Sequence, residues 1–272
     1  MNIPGAIMIG QLWWYGAAVL RPAQLLKSAG LYPDNSLGRR PAVVTGRGGG
    51  PFFSRRNRRP VLLPRRPDRY DLVEEFDGMS DVYSLAVDPF AKPIFEETIA
   101  AITPYIASSA RVLDPSCGPG LDLCHLATLV PEGEVVGADL AEKMVLRAAD
   151  NARQRGIENA AFFQADVTSL PKVFQGRFDA VFCSLSFHHY TDPLRALQEM
   201  RRVLRPGGHA FITDAGPGWM KLLGSPIAKI ADPGWVAFRT GEEFRELCQR
   251  AGFAGFYWNE ILPGMGLTIA TR

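Results

Sequence analysis

The stretch RVLDPSCGPG, residues 111–120, constrains the fold of this chain more than any other. Val112 and Leu113 form a short apolar run that ends on Asp114. The chain then turns through Ser116, Cys117, Gly118, Pro119 and Gly120, and an amphipathic segment follows at once. A strand, a tight turn and a helix start in that order mark where an α/β sheet meets a nucleotide-like ligand. Glycines let the backbone approach a ligand closely. The free N–H groups of a new helix favour an anionic group such as a carboxylate or phosphate.

The same alternation continues downstream. Residues 90–107 repeat Phe95, Ile99, Ile102 and Ile106 at helical spacing, with Pro104 as a kink or stop. Strand 111–114 precedes helix 120–130, and strand 134–139 precedes helix 141–154. Strand 160–165 leads into a loop, strand 178–184 precedes helix 193–204, and strand 209–214 follows. Two last apolar runs, 255–262 and 266–271, are separated by Pro263-Gly264 and read as a hairpin. These elements predict a Rossmann-like α/β fold: a doubly wound, seven-stranded sheet, mostly parallel, with a C-terminal antiparallel hairpin. Capping signals agree. Asp192-Pro193 opens one helix, and Leu194, Leu197, Met200 and Leu204 give it a buried stripe. Thr240 and Glu243 form a capping box for helix 241–251, which Gly252 ends.

Charge divides the 272 residues in two. Residues 1–70 carry 12 Lys/Arg against 2 Asp/Glu, a net of +10, which leaves −8 on the rest of a chain whose total is +2. We read residues 1–70 as a basic, weakly apolar extension and 71–272 as the globular domain, beginning near Tyr70. Residues 1–20 have no charged side chain, and an Arg-rich segment follows. Three readings of the extension stay open: peripheral membrane contact through Trp13, Trp14 and Tyr15, a loose low-complexity segment, or a nucleic-acid-binding arm. The four cysteines are scattered without metal-finger spacing, so we expect reduced thiols packed as small hydrophobes, a cytoplasmic location and no metal site. Membrane association through residues 1–70 is the alternative location.

The ligand can be narrowed. Gly118-x-Gly120 lacks the third glycine of a dinucleotide fingerprint, and no P-loop lysine follows. VLDPSCGPG resembles the first motif of the class I S-adenosylmethionine-dependent methyltransferases, normally VLDxGCGxG. VVGADLAEKMV at 135–145, FFQADVTSLP at 162–171 and FDAVFCSLSFHHYTDPLRALQEMRRVLRPGG at 178–208 match in the expected order, and EEFRELCQRAGF at 242–253 also fits. The likeness covers residues 75–272 and is strongest to the ubiquinone/menaquinone-type, small-molecule members.

The resemblance implies a cofactor, S-adenosyl-L-methionine, and a role at each matching position. Cys117, Gly118 and Gly120 would present backbone to its amino-acid end, with Asp114 accepting from its amino group. Asp139 would take both ribose hydroxyls, and Leu140 and Met144 would pack near the adenine. Asp166 would accept from the adenine amino group, with Val167 beside the ring. Ser184 and Leu185 would border the methyl group. Plain alternatives remain: Asp166 as a loop cap and Met144 as core. The chain departs from the family at Ser116, where glycine is usual; a side chain there would crowd the turn or require a negative φ.

Methyl transfer is an in-line displacement that needs alignment and a dry pocket. His188 and His189 follow the fourth strand and are candidate bases; alternatively they orient the loop. Residues 215–239 read as a lid or apolar wall. With Phe187, its Trp219 and Trp235 would line an acceptor pocket that Tyr83 and Phe90 close from the other side. The expected partner is a small apolar methyl acceptor such as a quinol, phenol, lipid or polyketide-like compound. Two alternatives stand: a catalytically silent cofactor-binding protein, and a nucleic-acid methyltransferase using the basic arm. SLSF stands where the latter usually shows an N/D-P-P-Y motif.

Overall fold

Side chains alternate across each strand, and here the two faces are covered by different helices. The computed structural model describes residues 83–232 and 234–272, with side chains from residue 91 onward except residues 230 and 231. The N-terminal extension, the domain start near Tyr70 and the side chains of Tyr83 and Phe90 lie outside the described residues. The strands are β1 (Arg111–Asp114), β2 (Glu134–Asp139), β3 (Ala160–Gln164), β4 (Phe178–Ser184), β5 (Leu204–Ala215), β6 (Gly255–Leu262) and β7 (Met265–Thr271). The helices are α1 (Tyr83–Ile102), α2 (Leu121–Leu129), α3 (Glu142–Gln154), α4 (Pro193–Val203), α5 (Gly218–Ala231) and α6 (Gly241–Ala251).

The described strands form one seven-stranded sheet in the order β3-β2-β1-β4-β5-β7-β6. β1 to β5 pair in parallel, and β7 pairs antiparallel with both β5 and β6. This is the fold expected from the sequence, hairpin included. Val112, Val135, Phe162, Ala180, Phe182 and Phe211 form one apolar layer with α1, α2 and α3. Leu113, Val136, Phe163, Val181, Cys183 and Ile212 form the other with α4 and α6. Neighbours along a strand thus serve opposite cores.

Local chemistry sets the boundaries. Asp192 caps α4 by accepting from Arg195 N at 3.0 Å, and both halves of the Thr240/Glu243 capping box form. β5 begins five residues earlier than the sequence reading placed it, because Leu204 pairs with Phe178 before a register shift absorbs Pro206-Gly207-Gly208. The 215–239 segment is mainly the helix α5, with Pro226 inside it. All four cysteines are free and buried, and burial pushes the Cys183 and Cys248 thiols up to about 12. Among the described residues no helix is long and apolar enough to cross a membrane.

Candidate cofactor and acceptor site

Two glycines in left-handed geometry shape the turn after β1. Gly118 has φ +50° and Gly120, the N-cap of α2, has φ +74°. A Cβ on Gly120 would meet Ala148 Cβ at 2.7 Å, so this glycine lets the turn sit against α3. A Cβ on Gly118 would meet no heavy atom within 4 Å, so its backbone faces open space. A turn that needs left-handed backbone beside open space suits a ligand that approaches the main chain.

Acids surround this turn. Asp139 ends β2, accepting from Gly118 N at its Oδ2 and from Ala141 N at its Oδ1, both at 2.9 Å. Asp114 ends β1, is 4% exposed and accepts from Ser116 N at 3.1 Å. Burial raises the Asp114 carboxyl well above the usual range; the Ser116 N–H opposes this, and Asp122 and Asp139 add to it. A buried carboxyl among other acids favours a cationic partner.

Ser116 does not require left-handed backbone: among the described residues Leu185 is the non-glycine residue with positive φ. Its Oγ is hydrogen-bonded to the Tyr190 hydroxyl, which ties the turn to the segment after β4. The side chain that departs from the family pattern is therefore accommodated.

The residues after β2 and β3 serve structural roles. Asp166 Oδ1 accepts from Thr168 N and Thr168 Oγ1, both at 2.8 Å, and so caps the short 3-10 turn Val167–Ser169. Val167 and Met144 are buried, at 9% and 1% exposure. Leu140 is partly exposed, and its carbonyl accepts from Gln164 Nε2 at 3.0 Å.

Ser184 and Leu185 are partly exposed at the end of β4. Leu185 has φ +50°, a strained geometry for a branched side chain, and its N–H donates to Thr213 O at 2.9 Å. Phe187 is placed in the core, its ring centroid 5.0 Å from those of Tyr190 and Phe244. Trp219 and Trp235 are partly exposed on the α5 segment, and Trp235 stacks edge-on with Phe238 at 5.6 Å.

His188 and His189 lie on the 3-10 turn Phe187–His189. His188 Nδ1 is 2.8 and 3.0 Å from the two oxygens of Asp214, which also accepts from His188 N at 2.8 Å and Ala215 N at 2.7 Å. Burial disfavours the His188 cation, but Asp214 and then Asp232 outweigh it and push its pKa up to about 9. Burial and the neighbouring His188 lower that of His189. The two histidines are thus unlike each other, and neither has the solvated environment of a simple base.

A family model described as a methyltransferase domain matches residues 106–247, more than half of the chain. This chain belongs to that methyltransferase-domain family. It is 39% identical over 107 residues to the demethylmenaquinone methyltransferase of Thermus thermophilus, which covers 39% of this chain and 48% of that one. It is 31% identical over 165 residues to the ubiquinone/menaquinone biosynthesis C-methyltransferase UbiE of Proteus mirabilis, covering 60% and 62%. The chain spans about half the length of the curated relatives it matches. A SAM-dependent methyltransferase from Aquifex aeolicus shares the fold, with TM-score 0.55 and 20% identity over 73% of this chain and 97% of that one.

The methyltransferase domain brings Asp114, Cys117, Gly118, Gly120 and Asp139 together at the C-terminal ends of β1 and β2, where open α/β sheets bind ligands. The sequence reading missed two acids. Asp214 lies next to the last residue of β5, much as Asp114 and Asp139 end their strands, and that position was the available signal. Asp232 gave none: Asp232-Pro233-Gly234 reads as an ordinary turn, yet the fold brings Asp232 to His188 and His189.

Proposed function

We propose that this methyltransferase domain binds S-adenosyl-L-methionine at the β1 turn and transfers its methyl group to a small apolar acceptor of the quinol or phenol class. The observation that carries the reading is the unit formed by Gly118 and Asp139. It fixes a left-handed backbone that faces open space beside a carboxylate. The residues fit the group: a buried acid among acids suits the cofactor's ammonium, and the N-terminus of α2 suits its carboxylate. The Asp139 carboxylate, an acceptor-only group at the end of β2 beside the turn, is of the kind that takes ribose hydroxyls.

When bound, the cofactor supplies an electrophilic sulfonium methyl. The chain's task is then to align an acceptor and keep water out. Leu185, Trp219 and Trp235 provide apolar surface after β4 and on the α5 segment, which supports an apolar acceptor. The quinone-pathway names of two relatives favour the same class. Residues 1–70 would bring the domain to a membrane surface, where such acceptors dissolve.

The test is calorimetry with S-adenosylmethionine, followed by a methyl-transfer screen with labelled cofactor against quinols, phenols, lipids and RNA. Saturable binding with label on a quinol or phenol supports the proposal. Binding without transfer leaves a silent binding protein, and label on RNA transfers the assignment to nucleic acid.

A further inference from the structure

Three side chains from two distant parts of the chain converge behind β4. His188, His189 and Asp232 each offer one donor atom, and these atoms all lie within 4.8 Å of one another. His188 Nε2 is 3.4 Å and His189 Nε2 3.8 Å from the same oxygen, Asp232 Oδ2. The two imidazole centroids are 4.0 Å apart. An ion held tetrahedrally at about 2.0–2.1 Å places its donor atoms roughly 3.3 Å apart. The His188–Asp232 contact is already at that edge length, the His189–Asp232 contact is a few tenths of an ångström longer, and the two imidazole donors lie within 4.8 Å, so metal binding draws the side chains together.

The wiring of His188 fixes what its outer nitrogen can do. Nδ1 is engaged by both oxygens of Asp214, a carboxylate locked in turn by two backbone N–H groups. Metal-bound imidazoles almost always give their second ring N–H to a carboxylate or carbonyl in this way, which fixes the tautomer and aims the lone pair. Nε2 is buried and makes no hydrogen bond, although Asp232 Oδ2 lies 3.4 Å away. At that distance the two groups are in charge contact without a hydrogen bond, and a cation placed between them binds both.

We propose that His188, His189 and Asp232 form a binding site for a divalent, zinc-type cation, with Asp214 as the orienting carboxylate. Two imidazoles and one carboxylate suit Zn²⁺, Co²⁺ or Fe²⁺ rather than Mg²⁺ or Ca²⁺, which prefer all-oxygen shells. Three protein ligands leave a fourth position for water or another small oxygen ligand. The inference stands on this cluster alone and does not need the methyl-transfer reading. The chain has four histidines, and two of them meet here.

The experiment uses the full-length, tag-free chain without S-adenosylmethionine. It is loaded with Zn²⁺, dialysed and assayed for metal content; in parallel it is titrated with Co²⁺ and followed by visible absorption. The expected result is about one equivalent of zinc and the strong visible bands of a four-coordinate cobalt site. Asp232→Ala should abolish both, and Asp214→Asn should weaken zinc at least about tenfold through loss of orientation. His188→Ala removes a buried group, so Asp232→Ala, on the segment after α5, is the primary variant, with circular dichroism confirming its fold. Substoichiometric zinc in the parent chain, or equal zinc affinity in parent and Asp232→Ala, overturns the proposal.

Discussion

Gly118 donates its backbone N–H to Asp139 Oδ2 at 2.9 Å, so the turn after the first strand and the acid ending the second form one unit. A ligand at the turn meets the acid, and a change in the acid reaches the turn.

Asp139→Ala should therefore remove cofactor binding while the sheet survives. Hydrogen bonds to a charged acceptor contribute roughly 1.5–3 kcal/mol each. Losing those to a ribose should weaken S-adenosylmethionine by about a hundredfold or more. Calorimetry measures the affinity and circular dichroism the fold; an unchanged dissociation constant would remove Asp139 from the site.

The two turn glycines should fail differently. Gly118→Ala meets only open space, so its stability cost is the left-handed penalty of about 1–2 kcal/mol. Its main effect should be on cofactor affinity. Gly120→Ala adds a clash with Ala148 at 2.7 Å, and overpacking costs a further ~1–3 kcal/mol. Thermal melts should therefore rank Gly120→Ala below Gly118→Ala.

Asp114 gives the pH dependence a definite sign. Its carboxyl is raised by burial and by Asp122 and Asp139, so the folded state keeps a proton that the unfolded chain releases. Stability without cofactor should fall as pH rises from about the ordinary value of 3.8 through the raised one. Asp114→Asn should flatten that slope in denaturant titrations. Calorimetry in two buffers of different ionisation enthalpy should also show proton release when the cofactor's ammonium binds within that range.

Ser116 and Tyr190 should behave as a coupled pair. Ser116→Gly and Tyr190→Phe each remove one side of the same hydrogen bond. Together they should cost less than the sum of the single changes, by about 1 kcal/mol in a double-mutant cycle. Additive effects would mean that the contact does not hold the turn.

Deleting residues 1–70 should leave cofactor affinity unchanged and reduce sedimentation with anionic vesicles. A full-length chain that does not sediment with such vesicles would end the membrane reading.

The sheet was legible because its signals are local. Apolar runs, Asp192-Pro193, the Thr240/Glu243 box and Pro263-Gly264 each specify geometry within a few residues. The turn after β1 was legible for the same reason, since Asp114 to Gly120 is one continuous segment. The histidine cluster was not: Asp232 approaches His188 from 44 residues downstream, and only the packing of α5 brings it there. Nor does periodicity separate a pocket residue from a core residue, so Met144 stayed open between the two and the burial of Phe187 was not read from the chain.

β7 comes last in chain order but is laid inside the sheet, between β5 and β6. During synthesis β5 must wait with its outer edge unpaired until the hairpin has left the ribosome. For that interval the nascent domain presents an open β-edge to its neighbours, the condition under which chains pair wrongly and a chaperone is most useful.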